Sequence, residues 1–337
     1  MKKSLPFRYL ILFLLTSLSA REKNRLNIQI LVQPQIEADI TLPAADSTEM
    51  NWGINNAEVK LYSEINEHFG FKLSVDAAEE KFLEDAVVWY NPFDFLSFHA
   101  GRMKVAFGYD FQKSSEDLML VSRSKTSDFL KNIGCGSRNY GLKLCGKLPL
   151  GLGYSAAVYE SPNFLKGKGV FSIAELITAQ LDWEYFRWLV FNAGYRSEKF
   201  LYHPLLEYRA NFYDLAINTN WVKDKLHLGV EFFWGDPPLI DFLMEKDTLN
   251  FVTLSLRVMS YYNFKIANST ISPVVAFEHI DNGFWTSQVY TGGIRWDIGS
   301  SVFLSLDGEL LYDNEMLYMR DKKILFQVSY LFTKGIL

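Results

Sequence analysis

Across most of the chain beyond residue 25, apolar and aromatic residues recur at every second position, the period of an extended strand and not the 3.6 of a helix. The last segment shows it most cleanly. Ile324, Phe326, Val328, Tyr330 and Phe332 share one face, while Leu325, Gln327, Ser329 and Leu331 lie on the other. Val302, Leu304, Leu306, Leu310 and Tyr312 oppose Ser305, Asp307 and Glu309. Tyr290, Ile294, Trp296 and Ile298 oppose Thr291, Arg295 and Asp297. Leu226, Leu228, Val230, Phe232 and Trp234 oppose His227 and Glu231. Such segments number about sixteen: 26–38, 54–66, 70–79, 82–90, 96–107, 138–147, 151–160, 171–183, 187–196, 210–221, 226–235, 249–261, 271–279, 287–298, 302–312 and 323–332.

A soluble β-sandwich alternates too, with its apolar face inward. Here the polar faces repeatedly carry charge and the apolar faces end in Tyr, Trp or Phe, as the interfacial girdles of a membrane barrel require. In hydrocarbon a sheet spans only if it closes and leaves no unpaired edge. The pattern therefore predicts an all-β chain folded as a transmembrane antiparallel β-barrel. Connections alternate between short ones (67–69, 91–95, 148–150, 222–225, 299–301) and long ones (39–53, 108–137, 161–170, 197–209, 236–248, 313–322). That alternation is the two-rimmed layout of an outer-membrane barrel, and an even strand count puts both termini on the short-turn, periplasmic side.

Composition sharpens the picture. Aromatics make up 16 % of the 337 residues while the mean hydropathy is only −0.01, which excludes disorder. After residue 20 no apolar run approaches the ~18 residues of a spanning helix. Two cysteines are too few for a disulfide scaffold, and the formal charge of −5 gives no reason to expect nucleic acid. Residues 1–20 read as a signal peptide: Lys2, Lys3 and Arg8, then apolar Tyr9 to Leu15, then small residues up to Ala20. A retained membrane anchor is the alternative. Residues 21–337 then form a single barrel domain, with 31 basic and 39 acidic residues and a formal charge of −8.

From Asn56 to Phe129 the sequence resembles the phosphate-selective porin O/P family of outer-membrane proteins. The stretches that carry the resemblance are Asn56–Leu61, Phe71–Asp76, Leu83–Tyr90 and, most specifically, Leu96–Gly108, which is similar to that family's strand followed by Gly-Gln-Phe-Lys and Pro-Phe-Gly. Ser114–Leu118 and Val121–Ser124 continue it. Arg102 and Met103 stand where Gln and Phe are usual, and Ala106 replaces a Pro. The resemblance implies a sixteen-stranded homotrimer in the bacterial outer membrane, with a third external loop folded into the lumen. The longest predicted connection, 108–137, falls at that third external position. Tyr330 and Phe332 stand for the signal read by the barrel-assembly machinery, followed by a short tail.

A porin performs no bond chemistry and needs no cofactor. It admits small hydrophilic solutes by passive diffusion, and rings of basic side chains select anions. In the window 102–138 seven basic residues (Arg102, Lys104, Lys113, Arg123, Lys125, Lys131, Arg138) face four acidic ones (Asp110, Glu116, Asp117, Asp128). This local excess against the sign of the whole chain points to a filter for anions such as phosphate, with Lys104, Arg102, Arg123, Lys125 and Lys113 as contact candidates. Strict alternation sends Lys104 towards lipid, so this reading needs a bulge near Gly101. On the predicted lumen wall lie Lys60, Lys72, Lys143, Arg257 and Arg295, together with Glu58, Glu64, Asp76, Asp85, Asp182, Asp297, Asp307 and Glu309. That acid excess argues against strong phosphate selectivity and keeps a general or weakly cation-selective pore open as an alternative. A closed, surface-binding barrel is another. Cys135 and Cys145 are expected unpaired, since ten residues of strand separate them by roughly 30 Å. No zinc-ligand spacing is present. The five histidines form no arrangement that matches a nucleophile and an orienting group, so no enzyme is expected.

Overall fold

Period-two segments can satisfy their backbone only by pairing with one another, and here they do so around a complete ring. The computed structural model describes residues 25–41, 49–78, 82–132, 138–160, 176–186, 188–203, 206–222, 225–236, 253–281, 286–313 and 319–335. The strands are β1 (Arg25–Thr41), β2 (Glu49–Glu64), β3 (Phe69–Asp76), β4 (Leu83–Phe93), β5 (Leu96–Lys104), β6 (Arg138–Leu148), β7 (Leu152–Tyr159), β8 (Leu176–Phe186), β9 (Leu189–His203), β10 (Leu206–Trp221), β11 (Leu226–Gly235), β12 (Thr253–Tyr262), β13 (Phe264–Ile266), β14 (Ser269–Asp281), β15 (Thr286–Ile298), β16 (Val302–Asp313) and β17 (Met319–Gly335). All pairings are antiparallel, and β1 closes on β17 from Asn27↔Gly335 to Thr41↔Asp321. β12 and β13 both pair with β14 and form one stave interrupted at Asn263. The result is a closed barrel of sixteen staves, one for each predicted segment.

The two faces divide as the alternation requires. Exposed large hydrophobics such as Val275 (62 %) and Leu306 (49 %) occupy the outward positions, with Trp183, Tyr213, Tyr290, Trp296, Tyr330 and Phe332 among the exposed rings. Buried polar and charged residues occupy the inward ones, including Glu58, Lys60, Asp76, Asp85, Arg257, Arg295, Asp307 and Glu309. Short turns at 65–68, 94–95, 149–151, 267–268 and 299–301 gather at one rim, and the residues between β5 and β6 leave from the other. Among the described residues no helix is long and apolar enough to cross a membrane, so crossing falls to the strands.

The structure departs from the sequence reading in the extent of its strands and in the character of its lumen. The long connection expected over 39–53 is shorter, because β1 runs to Thr41 and β2 starts at Glu49. The long loop expected over 197–209 is mostly strand, because β9 runs to His203 and β10 resumes at Leu206. The apolar signal fades there, since the inner face carries Arg196 and Glu198, an ion pair with no solvent exposure. The lumen is also not polar throughout. Val87, Met103, Tyr159, Leu176, Phe212 and Phe233 belong to a buried apolar cluster completed by Val105, Phe107 and Phe111 from the segment after β5. Phe107 meets Phe233 edge-on at 6.0 Å. Gly235 leaves space for Phe212, whose ring would lie 2.3 Å from a Cβ there. The signal peptide assigned to residues 1–20, Cys135 and most of the long connections lie outside the described residues.

The outward apolar face sets a test of membrane orientation. Leu306→Arg, near the middle of β16, is expected to cost about 2–4 kcal/mol if that face meets hydrocarbon. Folding titrations into lipid vesicles read this directly.

Candidate channel constriction

The segment between β5 and β6 does not extend outward. It turns into the barrel at Gly108, whose φ of +76° is the left-handed conformation glycine tolerates. It then forms a four-residue helix α1 (Tyr109–Gln112), a 3₁₀ turn at Ser115–Asp117 and a second helix α2 (Lys125–Asn132). Its root is the apolar cluster already described, fastened by Tyr159, whose hydroxyl accepts from the Ala106 N–H at 3.2 Å.

Beyond the root the segment is held by the lumen wall, chiefly through its own backbone. The N–H groups of Tyr109 (2.8 Å) and Asp110 (3.3 Å) donate to Glu231 of β11. The Val121 N–H donates to Asp307 of β16 at 2.5 Å, and the Ser122 hydroxyl to Glu309. The N–H groups of Lys125 (2.7 Å) and Thr126 (2.6 Å) donate to Glu278 of β14. Arg295 of β15 donates to the carbonyls of Glu116 (3.1 Å) and Leu118. Lys60 of β2 grips the Glu116 carboxylate at 2.8 Å, Gln112 reaches Gln180 of β8 at 2.6 Å, and Arg257 of β12 binds Asp110 at 2.5 Å. Two small cavities of about 10 Å³ each lie beside Arg257 between segment and wall. Glu231, Glu278, Asp307 and Glu309 are thus engaged with the loop, and of the acids counted on the wall from the sequence this takes up Asp307 and Glu309.

The basic candidates separate into three groups. Lys60, Lys72, Lys125, Arg257 and Arg295 are paired: Lys72 with Asp85 at 2.7 Å, Lys125 with Glu309 at 3.5 Å, and Arg295 with Asp297 at 2.7 Å. Arg102 lies on the outward face, over the ring of Tyr140 at 5.8 Å, with its Nε donating to the Glu84 carbonyl. Lys104 and Arg123 come together on the backbone of Lys113. The Lys104 Nζ donates to the Lys113 carbonyl at 2.7 Å and to the Gln112 carbonyl at 3.3 Å. The Arg123 Nη2 donates to the same Lys113 carbonyl at 2.9 Å. The Lys113 ammonium rests over the Tyr109 ring at 4.5 Å. Among the described residues none of these three has a carboxylate within 4.0 Å. Burial pushes both the Lys113 ammonium and the Arg123 guanidinium below their ordinary ranges, although Asp110 opposes this in each case. Partly desolvated cations sharing one carbonyl gain from a nearby anion.

Lys104 reaches this cluster without the expected bulge. Pairing of β5 with β4 and β6 runs unbroken through Gly101, and Met103 takes the inward position at 4 % exposure. The chain leaves the wall directly after Lys104, and the returning loop brings its carbonyls to the ammonium. Gly101 is nonetheless required, because a Cβ there would lie 2.0 Å from the Ala86 oxygen. Lys143 faces inward without a partner within 4.0 Å among the described residues, and Cys145 is a free thiol opposite Ser97. Ser97 lies 2.8 Å from His99 Nε2, yet its hydroxyl donates to Asn91. The imidazole N–H must then be the donor to Ser97, and the pair is not arranged as nucleophile and base. Among the described residues no group of three or more His, Cys, Asp or Glu is placed to hold a metal. The convergence on the Lys113 carbonyl had no signature in the sequence beyond the local charge excess.

A closed sixteen-stave barrel with a charged inner wall and an inserted loop is the architecture of a porin. Residues 29–164 match the family described as phosphate-selective porin O and P, the family whose resemblance is legible from Asn56 to Phe129. Among solved structures, the outer membrane channel DcaP of Acinetobacter baumannii is similar at 12 % identity and a TM-score of 0.67, covering 93 % of this chain and 99 % of that one. The anion-selective porin from Comamonas acidovorans is similar at 11 % identity and a TM-score of 0.67, covering 92 % and 100 %. The trimer form of OmpT from Vibrio cholerae follows at 8 % identity and 0.61, covering 92 % and 100 %. Identities this low speak to fold alone. No curated protein matches the sequence.

The Arg257–Asp110 contact gives the loop a pH dependence of definite sign. Burial opposes ionisation of Asp110, and Arg257 outweighs it with help from Lys113, holding the carboxyl well below the usual carboxylate range. A depressed folded-state value stabilises the docked loop above the unfolded value of 3.8 and is lost as the pH falls below it. Hydrogen exchange at the Tyr109 and Asp110 amides, corrected for intrinsic rate, should accelerate between pH 7 and pH values below about 4. Arg257→Met should produce fast exchange already at pH 7, since breaking a buried pair costs about 3–5 kcal/mol.

Proposed function

We propose that this protein is a bacterial outer-membrane porin that lets small anions such as phosphate diffuse passively past Lys104, Arg123 and Lys113. One observation carries the reading: two cationic side chains, Lys104 and Arg123, converge on a single backbone carbonyl, and among the described residues neither has a carboxylate within 4.0 Å. Lys104 and Arg123 keep further N–H donors beyond those bonds, as an ammonium and a guanidinium carry three and five. A passing anion can exchange its hydration shell for them and leave again, since the cluster is only partly buried and the fixed carbonyl already takes part of their donor capacity. The match to the phosphate-selective porin family and the fold shared with an anion-selective porin support the same direction.

Residues 1–20 act in this reading as the export signal. Tyr330 and Phe332, both exposed on the outer face of β17, present the assembly signal. Three copies assemble in the membrane, as the trimer form of OmpT does with the same fold. A closed barrel whose loops bind a surface ligand is the second reading, favoured by the tightness of the loop against β12.

Planar-bilayer recording of the refolded protein separates these. Conductance steps with a reversal potential displaced towards the chloride value are expected, and absence of steps would support the closed barrel. Lys104→Glu with Arg123→Glu should lower the chloride-to-potassium permeability ratio by about tenfold, equivalent to ~1.4 kcal/mol. That is well within the ~4 kcal/mol of one close charge contact at an effective dielectric near 20. An unchanged ratio removes both residues from the constriction. Arg102→Glu, on the outward face, should leave the ratio unchanged.

A further inference from the structure

The lumen wall between the loop and the short-turn rim carries a row of rings. Tyr62 of β2 and Trp89 of β4 lie 5.4 Å apart with planes 25° from parallel, and Trp89 and His99 of β5 continue the row at 6.2 Å and 30°. Trp89 and His99 are direct cross-strand partners. Tyr62 is two strands away from Trp89, and they meet because β3 places Gly70 opposite the tryptophan. A Cβ at Gly70 would lie 2.2 Å from the indole, so glycine is what lets the indole lean across β3. Tyr62 is 38 % exposed, while Trp89 and His99 are half-buried. Among the described residues, other inner-wall rings are already committed: Tyr261 stacks on His227 and packs against the cluster of Leu120, Met259 and Val274, and Phe303 lies under Arg295. Trp89 touches the edge of the loop's apolar root, and Tyr62 and His99 carry the row beyond that cluster.

Cations flank the row. Lys72 pairs across the sheet with Tyr62, and Lys143 with His99. Lys72 is occupied by Asp85, whereas Lys143 has no carboxylate within 4.0 Å among the described residues. A planar apolar surface beside an uncommitted ammonium is complementary to a flat ring bearing a carboxylate: the ring stacks and the charge pairs. We infer that Tyr62, Trp89, His99 and Lys143 form a second solute station that takes planar aromatic monocarboxylates. His99 lies five residues along β5 from Lys104, about 17 Å at 3.4 Å per residue. One small solute cannot touch both, so the station acts apart from the constriction. The inference rests on the barrel admitting anions, and its test reads binding without conduction.

Saturation-transfer NMR on the detergent-solubilised full-length chain, with benzoate as the probe, tests it. Cyclohexanecarboxylate, of equal charge and similar size but not planar, serves as competitor and controls for partition into micelles. Benzoate should give a saturable response that cyclohexanecarboxylate displaces at least roughly fivefold less well than unlabelled benzoate. Trp89→Leu and Lys143→Gln should each weaken benzoate about fivefold or more. Heat-modifiable gel mobility confirms that each variant is folded. If Trp89→Leu does not fold, Tyr62→Leu near the rim carries the same expectation. Equal benzoate affinity in a folded Trp89→Leu or Tyr62→Leu barrel overturns the station, as does equal displacement by cyclohexanecarboxylate. Failure of the anion reading shows separately, as a reversal potential indifferent to Lys104 and Arg123.

Discussion

A peptide group removed from water must find a hydrogen-bond partner, and this single demand organises the molecule twice. In the wall it is met by strand pairing that runs without an edge from β1 round to β17. Inside the barrel it arises again, because an inserted loop carries backbone N–H and C=O groups that no ladder can satisfy. The wall meets it with side chains: carboxylates of Glu231, Glu278 and Asp307 accept the loop's N–H groups, and Arg295 donates to its carbonyls. Charge on the inner wall is in large part a substitute for secondary structure.

This changes how the electrostatics of the lumen are summed. Formal charges suggest an acidic tunnel, yet an anionic carboxylate that already accepts two N–H bonds, as Glu278 does, presents little unspent potential to a solute. Positive charge is divided the same way. Arg257 and Lys60 are spent on Asp110 and Glu116 of the loop, whereas Lys104, Lys113 and Arg123 meet only carbonyls and a ring. The field that a permeant ion feels is set by what the loop leaves over. Counting charges by residue type is a poor guide to it.

The strands were legible because lipid outside and water inside impose opposite demands on alternate residues. Val302 to Tyr312 and Ile324 to Phe332 display both, and their faces lie as read. Legibility failed where that contrast was absent. At Arg196 and Glu198 two charges pair on the inner face, and the strand that carries them lacks the alternation that marks the others. At Phe212 and Phe233 the inner face is dry because Phe107 covers it, a tertiary fact with no local sign. The charge excess around 102–138 did mark the region of the cation cluster, but not its membership. Arg102 faces outward, and Lys125 is consumed by Glu309. Separation of Lys104 and Arg123, which converge, from the residues that do not depends on a turn at Gly108 and on carbonyl positions, which side-chain identity does not encode.

The apolar root of the loop bears on the closure of the barrel. Phe107 and Phe111 pack against residues of β4, β7, β8, β10 and β11, staves from the middle of the chain, while the loop's later bonds reach β14, β15 and β16. The inserted segment therefore ties middle staves to late ones across the lumen, and acts as an internal brace on the curvature that brings the first and last strands together.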